Sequence, residues 1–259
     1  MHFKFLKVEV LDGIAVITLN NPPLNVLSTA IFLELDECFK SIETDNKVKV
    51  IILTGTGDRA FAAGADIKEF TEHLKDYNLL KKSGDEGSRI FNQIAEFPKP
   101  VIVALNGLAL GGGFELALCG DIRIASSNVK IGLPEINLGL LPGAGGTQRL
   151  PRLIGESKAK EMIFTGKPIT ADEAYRIGLV NHVVESGEVL VKAKELAHLI
   201  AVKSSVALKI IKKTIDLGLE LSLDEGIRKE REAFEFLFQQ DDAKEGINAF
   251  LNKREPKFH

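Results

Sequence analysis

The chain predicts an α/β fold with its helices on the outside. Three observations carry that reading. Short apolar runs rich in Val and Ile recur through the first half, each closed by glycine or proline. Between several of them lie segments with apolar residues at three- and four-residue spacing. The order of two strand signals and one helix signal repeats, and that order layers helices over sheets. A length of 259 residues suits one large domain, with or without a small appendage.

Residues 8–10 and 14–19 flank Asp12-Gly13 and read as a hairpin. Asn21-Pro22-Pro23 stops its second strand. Ser28 is placed to cap a helix whose apolar face is Ile31, Leu35, Cys38, Phe39 and Ile42. Residues 48–54 read as a buried strand, closed by Gly55-Thr56-Gly57. A run of small residues at 60–65 then leads through Asp66 into a helix. Residues 70–96 read as polar and irregular, most flexible at Ser83-Gly84-Asp85-Glu86-Gly87. Pro98 and Pro100 introduce a strand at 101–105. The turn Gly111-Gly112-Gly113 leads to a short helix, and further strands follow at 122–125 and 129–132.

The second half reads as helical. Thr170-Ala-Asp-Glu173 and Ser222-Leu-Asp-Glu225 are capping boxes, and helices are expected at 187–202, 205–217, 223–240 and 242–254. Phe234, Leu237 and Phe238 form an apolar cluster that is either a seam between helices or an oligomer interface. No internal repeat of fixed period is evident.

Composition narrows the function. Lys and Arg number 33 against 36 Asp and Glu, a net charge of −3 that gives no case for nucleic acid as partner. Cys38 and Cys119 are too few for a disulfide framework, and Cys119 reads as a buried thiol, which fits a reducing, cytoplasmic compartment. The beginning MHFKFLKVEV lacks the continuous apolar core of a secretory signal, and no run approaches a membrane span. His2, His73, His182, His198 and His259 have no ligand spacing, so no metal is expected.

The chemistry concentrates in two nearly uncharged, glycine-rich stretches. Glu115 stands in GLALGGGFELALCGD and Glu135 in IGLPEINLGLLPGAGG. A lone carboxylate is costly to bury as a charge, so two of them beside glycine loops suggest an acid/base pair facing one pocket. Taken singly, Glu115 could be an N-terminal helix acid that favours the dipole, and Glu135 a solvent-facing loop acid. Ala62-Ala63-Gly64-Ala65-Asp66 and Gly111-Gly112-Gly113 each follow a strand and open a helix. Their free amides could meet an oxyanion; equally, the first could be a plain tight turn and the second close helix–strand packing. Neither has the spacing of a dinucleotide fingerprint or a phosphate loop.

Three segments, FAAGADIKEF, NGLALGGGFELALCGDIRIAS and LPEINLGLLPGAGGTQRLPRLIG, resemble the crotonase, or enoyl-CoA hydratase, superfamily, and the likeness runs in order from residue 8 to about 258. The resemblance implies a crotonase-like spiral of ββα units over residues 1–195 and a C-terminal helical trimerisation region over 196–259. Hexamers built as dimers of trimers are implied. It implies acyl-CoA thioester substrates and an enolate held by two backbone amides, which by position are those of Ala65 and Gly112. The hydratase branch adds two glutamates, matching Glu115 as the base that activates water and Glu135 as the acid that protonates C2. Gly143 is implied to let Glu135 and the water sit close to backbone. For CoA, the resemblance implies the backbone around Ala63, the Asp66 turn and Lys68, with Phe250 and Lys253 reaching a neighbouring subunit's CoA. Lys68 and Lys253 could equally be solvated lysines, and Phe250 a helix-face residue. No cofactor is implied, CoA being part of the substrate.

The expectation is therefore an enoyl-CoA hydratase of fatty-acid β-oxidation. The alternatives are a hydratase of branched-chain or aromatic acyl-CoA degradation, of methylglutaconyl-CoA type, and an RNA-binding member of the superfamily. Leu108 stands where many relatives carry an aromatic residue, which leaves chain length open.

Overall fold

The computed structural model describes residues 3–258, with only the backbone of residues 67, 68 and 70. The chain opens with the hairpin β1 (Leu6–Leu11) and β2 (Ile14–Leu19), paired antiparallel in the register Leu11↔Ile14. Asp12 and Gly13 turn it with φ of 50° and 80°, the positive values that a two-residue hairpin turn requires.

From there the chain climbs as a spiral. Each turn lays one strand in a large sheet and the next in a small one. β3 (Val50–Gly55), β5 (Val101–Leu105) and β7 (Ile122–Ser126) enter the large sheet, and β10 (His182–Val184) completes it, giving the order β1-β2-β3-β5-β7-β10. Their partners β4 (Ala60–Ala63), β6 (Leu108–Leu110) and β8 (Lys130–Gly132) run parallel in the small sheet, closed by the antiparallel β9 (Ile169–Thr170). The ββα unit thus repeats in space although no repeat of fixed period is visible in sequence.

Alternation along β3 builds two cores. Val50 and Ile52 face one way, toward Val189, Ala193, Ala197 and Ala201 of α8 (Val189–Ala201). The small residues at four-residue spacing let that helix lie close to the sheet. Ile51 and Leu53 face the other way, into the main core with Phe39, Phe91 and Phe114. Burying a side chain of that size contributes roughly 1.5–3 kcal/mol. The expected boundary at residue 195 falls inside α8.

Helix α1 (Thr29–Thr44) buries the five apolar residues read from its spacing. Ser28 occupies its N-cap but makes no side-chain cap bond. The Glu69 carboxylate replaces it, accepting from Thr29 N at 3.1 Å and Thr29 Oγ1 at 2.8 Å. Glu69 lies on α2 (Ile67–His73), so the bond also ties that short helix down.

The expectation of irregular chain over 70–96 is overturned. Tyr77–Ala95 is one helix, α3, begun by the Asp76 side chain, which accepts from the amides of Asn78 and Leu79. Two interior glycines each cost about 1 kcal/mol relative to Ala. The buried stripe Gly87, Ile90, Phe91 and Ile94 outweighs that cost, with the Phe91 ring tilted against Phe32 of α1 at 5.4 Å between centroids. Arg89 adds a bidentate pair to Asp36 at 3.0 and 2.9 Å, and its guanidinium holds the Asp36 carboxyl below its usual range.

Beyond β8 come α5 (Gly146–Ile154), α6 (Glu156–Thr165) and α7 (Ala171–Arg176), then, after α8, α9 (Ser205–Gly218), α10 (Leu223–Phe238) and α11 (Asp241–Leu251). Ser222 and Glu225 form the full capping box expected of them. Thr170 makes only half of one, because the Glu173 carboxylate turns to Arg176 and Lys158 instead. The apolar cluster on α10 is not an interior seam of this chain: Phe234 is 65% and Phe238 59% exposed. Among the described residues, no helix is long and apolar enough to cross a membrane.

Candidate active site

The strands β4, β6 and β8 run parallel and adjacent, so their C-terminal ends share one edge of the small sheet. Every group singled out in the two glycine-rich stretches hangs from that edge or from the loop facing it.

Start with β4. The segment 24–27 runs alongside residues 63–66: Ala63 N donates to Leu24 O, Leu27 N to Gly64 O, and Asp66 N to Leu27 O. Leu27 and Ala65 form a parallel bridge in which Gly64 and Asp66 supply the bonding groups, so Ala65's own N–H points the other way. Asn25, fully buried at a φ of 49°, fixes the segment by donating to Ala60 O at 2.8 Å.

β4 and β6 pair in the register Ala63↔Leu110. Two further residues along each strand set Ala65 beside Gly112. The two meet closely, since a Cβ at Gly112 would lie 3.8 Å from Ala65 N. Gly112 is the first residue of the short helix α4 (Gly112–Ala117), whose first amides have no partner in the helix. Among the described residues, neither the Ala65 nor the Gly112 amide donates a hydrogen bond. Gly111 makes the turn, with φ 52°, and its amide donates to Gly132 O on β8 at 2.9 Å.

Glu115 lies three residues on, in the first turn of α4, 3% exposed. Its Oε1 accepts from the amides of Ala144 and Gly146, each at 2.8 Å. Burial raises the Glu115 pKa; the two amides and the nearby Arg149 oppose that rise and favour the charged form. Cys119, one turn further, donates its thiol to Glu115 O at 3.3 Å, and burial pushes that thiol up to about 12, which leaves it an inert packing group.

Glu135 opens a 3₁₀ turn (Glu135–Leu138) just past the end of β8, behind Pro134. Its Oε1 approaches Gly111, and its Oε2 is buried with no hydrogen-bond partner among the described residues. Burial, with a further contribution from the Glu115 charge, pushes its carboxyl up to about 7. Burial raises both acids, but their support differs: Glu115 is held by the amides of Ala144 and Gly146, whereas the backbone bond that favours the Glu135 anion comes from its own residue alone. That difference in hydrogen-bond support suits Glu115 to the part of base and Glu135 to that of acid.

The other expected residues are distributed as follows. Ala63 ends β4 and Asp66 closes the turn before α2. The side chain of Lys68, like His2 and His259, lies outside the described residues. A Cβ at Gly143 would meet nothing within 4 Å; the amides that position a carboxylate are those of Ala144 and Gly146, and the carboxylate is Glu115. Phe250, 83% exposed, and Lys253 lie on and just after α11, which packs against α10. Among the described residues, no cluster of three or more His, Cys, Asp or Glu is gathered as metal ligands would be.

Sequence reasoning missed Asn25, Glu69, Ala144 and Gly146. A polar residue two positions after Pro23 signalled Asn25, but the Ala144 and Gly146 amides carry no side-chain signal at all.

The family model described as enoyl-CoA hydratase/isomerase matches residues 9–259. The chain is 46% identical to a short-chain-enoyl-CoA hydratase of Clostridium acetobutylicum, over 98% of this chain and 97% of that protein. It is 42% identical to a crotonyl-CoA hydratase of Syntrophomonas wolfei, over 100% and 99%. The solved enoyl-CoA hydratase of Bacillus anthracis superposes with a TM-score of 0.95 at 39% identity, covering 98% of this chain and 99% of that one.

Proposed function

We propose, from the premise that this chain belongs to the enoyl-CoA hydratase/isomerase family, that Glu115 and Glu135 add water across the double bond of a trans-2-enoyl-CoA to give a 3-hydroxyacyl-CoA. The enzyme is a hydro-lyase of crotonase fold. The observation that carries the mechanism is the convergence, at one sheet edge, of two free amides and two carboxyls of different character.

The thioester oxygen accepts from the amides of Ala65 and Gly112. As water adds at C3, charge moves onto that oxygen, and donors already aimed there stabilise it without reorganising. Glu115 takes a proton from the water as its oxygen bonds to C3. Glu135 gives its proton to C2 as the enolate collapses. The proton gained by Glu115 and the one lost by Glu135 balance, and redistribution between the acids and solvent resets the site. The addition transfers no electrons to an acceptor, so it calls on no redox cofactor.

Hydration of crotonyl-CoA by wild type, Glu115→Gln and Glu135→Gln tests this reading. Each variant loses roughly 10²–10⁴-fold in kcat, the usual worth of a positioned acid or base, with little change in CoA affinity. Near-wild-type turnover by either variant would sink the two-glutamate mechanism.

The relatives' names support a short acyl chain, and a place in fatty-acid β-oxidation is proposed with it. A panel of linear, branched and aromatic enoyl-CoA esters separates this from a hydratase of branched-chain or aromatic degradation. The balanced charge argues against an RNA-binding role. For CoA we keep the Ala63 backbone, Asp66 and Lys68 from one subunit and Phe250 and Lys253 from a neighbour. Gly143 keeps its suggested part in seating Glu135 and the water. The protein is proposed to be cytoplasmic and to assemble as a homohexamer, a dimer of trimers. Its spiral core, residues 1–195, carries the site, and the helices from 196 carry the assembly. Exposed Ile211, Ile215, Phe234 and Phe238 on α9 and α10 support that assembly, because apolar surface of this extent calls for cover.

A further inference from the structure

Glu115 depends on the shape of a loop. The two amides that hold its Oε1 belong to Ala144, the last loop residue before the N-cap Gly145, and Gly146, the first residue of α5. The helix start fixes Gly145 and Gly146, since Gly145 O accepts from Gln148 N at 3.0 Å and from Arg149 N at 2.8 Å, but something else must hold Ala144, which lies outside it.

Arg149, one turn into α5, does so. Its Nη1 donates to the carbonyl of Ala144 at 3.1 Å, the same residue whose amide holds Glu115. Its Nη2 donates to Asn92 Oδ1 on α3 at 2.6 Å. The guanidinium lies so close across the loop that a Cβ at Gly145 would collide with Nη1, and Gly145 itself sits at a φ of 107°. Gly145 is required for its backbone angle, and its missing side chain leaves the space that Arg149 occupies. α3 is in turn anchored on α1 by the Arg89–Asp36 pair.

We propose that Arg149 is a positioning residue of the acid–base centre: pinned to α3 through Asn92, it holds the Ala144–Gly146 loop in the shape that lets two amides grip Glu115. It acts through the loop and not on the substrate. The inference rests on Glu115 being the base of the hydration. A planar, five-donor cation is suited to bridging two acceptors in fixed directions, which a lysine cannot reproduce. The charge acts in the same sense, since Arg149 favours the Glu115 anion against its burial. The other titratable groups facing Glu115 among the described residues are Glu135, whose charge would oppose that anion, and the neutral Cys119 thiol.

The test is the pH profile of crotonyl-CoA hydration by wild type, Arg149→Met, Arg149→Lys and Asn92→Ala. Arg149→Met lowers kcat by about 10²-fold, the cost of a misplacement near 1 Å, with KM little changed. Its acid limb of kcat/KM moves to higher pH, because the base now needs a higher pH to ionise. Arg149→Lys restores the acid limb toward wild type by keeping the charge, and recovers only part of kcat. Asn92→Ala falls between wild type and Arg149→Met in kcat. An acid limb in Arg149→Met that coincides with wild type's, or an Asn92→Ala variant with wild-type kcat, would overturn the clamp. Should Arg149→Met not fold, Arg149→Lys and Asn92→Ala decide alone: full kcat in either overturns it. A wild type that hydrates no enoyl-CoA would instead overturn the reading of Glu115 as base, so the two failures are distinguishable.

Discussion

Gly111 and Glu135 are in near contact: a Cβ on the glycine would stand 3.0 Å from Glu135 Oε1. That distance is tighter than an ordinary van der Waals approach. The first residue of the glycine turn therefore shapes the seat of the second glutamate, although 24 positions separate them in sequence (135 − 111).

Gly111→Ala is expected to lower both stability and kcat. A side chain forced to a φ of 52° costs about 1–3 kcal/mol. Gly139→Ala controls for backbone strain alone, because Gly139 also has positive φ, 70°, while a Cβ there would meet nothing within 4 Å. Urea unfolding with crotonyl-CoA kinetics on both variants separates the terms. Equal kcat losses in the two would mean the Glu135 contact carries no catalytic weight.

The pH dependence of kcat/KM should be bell-shaped. Activity needs Glu115 ionised, which sets an acid limb above the ordinary 4.5 of a glutamate, because burial raises its pKa. It also needs Glu135 protonated, which sets an alkaline limb near 7. The two limbs belong to the pair and not to single residues. In Glu135→Gln the alkaline limb should vanish from the residual rate. A limb that survives there belongs to another group.

Glu135 also works against the fold at neutral pH. Its native pKa of about 7 exceeds the ordinary 4.5, so between those values the native state binds more protons than the unfolded chain. Stability from this group is full below 4.5 and is lost as pH rises through 7. At roughly 1.4 kcal/mol per pKa unit, discounted for partial exposure, Glu135→Gln should gain about 2 kcal/mol above pH 7 and almost nothing in acid. Denaturant titrations at the two extremes check the sign. Equal stability gains at both would point to packing, not charge.

Assembly has its own expected outcome. Phe234→Ser with Phe238→Ser removes two rings whose centroids lie 6.0 Å apart on the outer face of α10. Light scattering should find the variant smaller than wild type at the same concentration, with unchanged far-UV circular dichroism. An unchanged mass would move the interface elsewhere.

The sequence exposed those features whose signal is local. Asp12-Gly13 marked the hairpin, the stripe Ile31, Leu35, Cys38, Phe39 and Ile42 marked α1, and two carboxylates in apolar surroundings marked the site. What it concealed depends on distant partners. α3 read as loop because Gly84 and Gly87 weaken a helix locally, while Phe32, far back on α1, supplies the compensating contact. Ser28 looked like the cap of α1, but Glu69 arrives from α2 to do that work. Continuous apolar runs such as β3 and β5 announce burial on both faces without saying which of two sheets a strand joins. Arg149 carried no local signal of its part, because its two acceptors, Ala144 O and Asn92 Oδ1, come from a loop and from a distant helix.

The alternation of strands between two sheets has a kinetic consequence. Each of β4, β6 and β8 finds its ladder partner only after the chain has passed through the other sheet and back, so the contacts that build the small sheet are far apart in sequence. Such topologies fold slowly, since loop closure must come before the reward of pairing. Ala65 and Gly112 become neighbours only when two successive turns of the spiral have docked in register. During refolding, helical circular dichroism should therefore recover ahead of hydratase turnover, which makes enzymatic activity a late clock for completion of the fold.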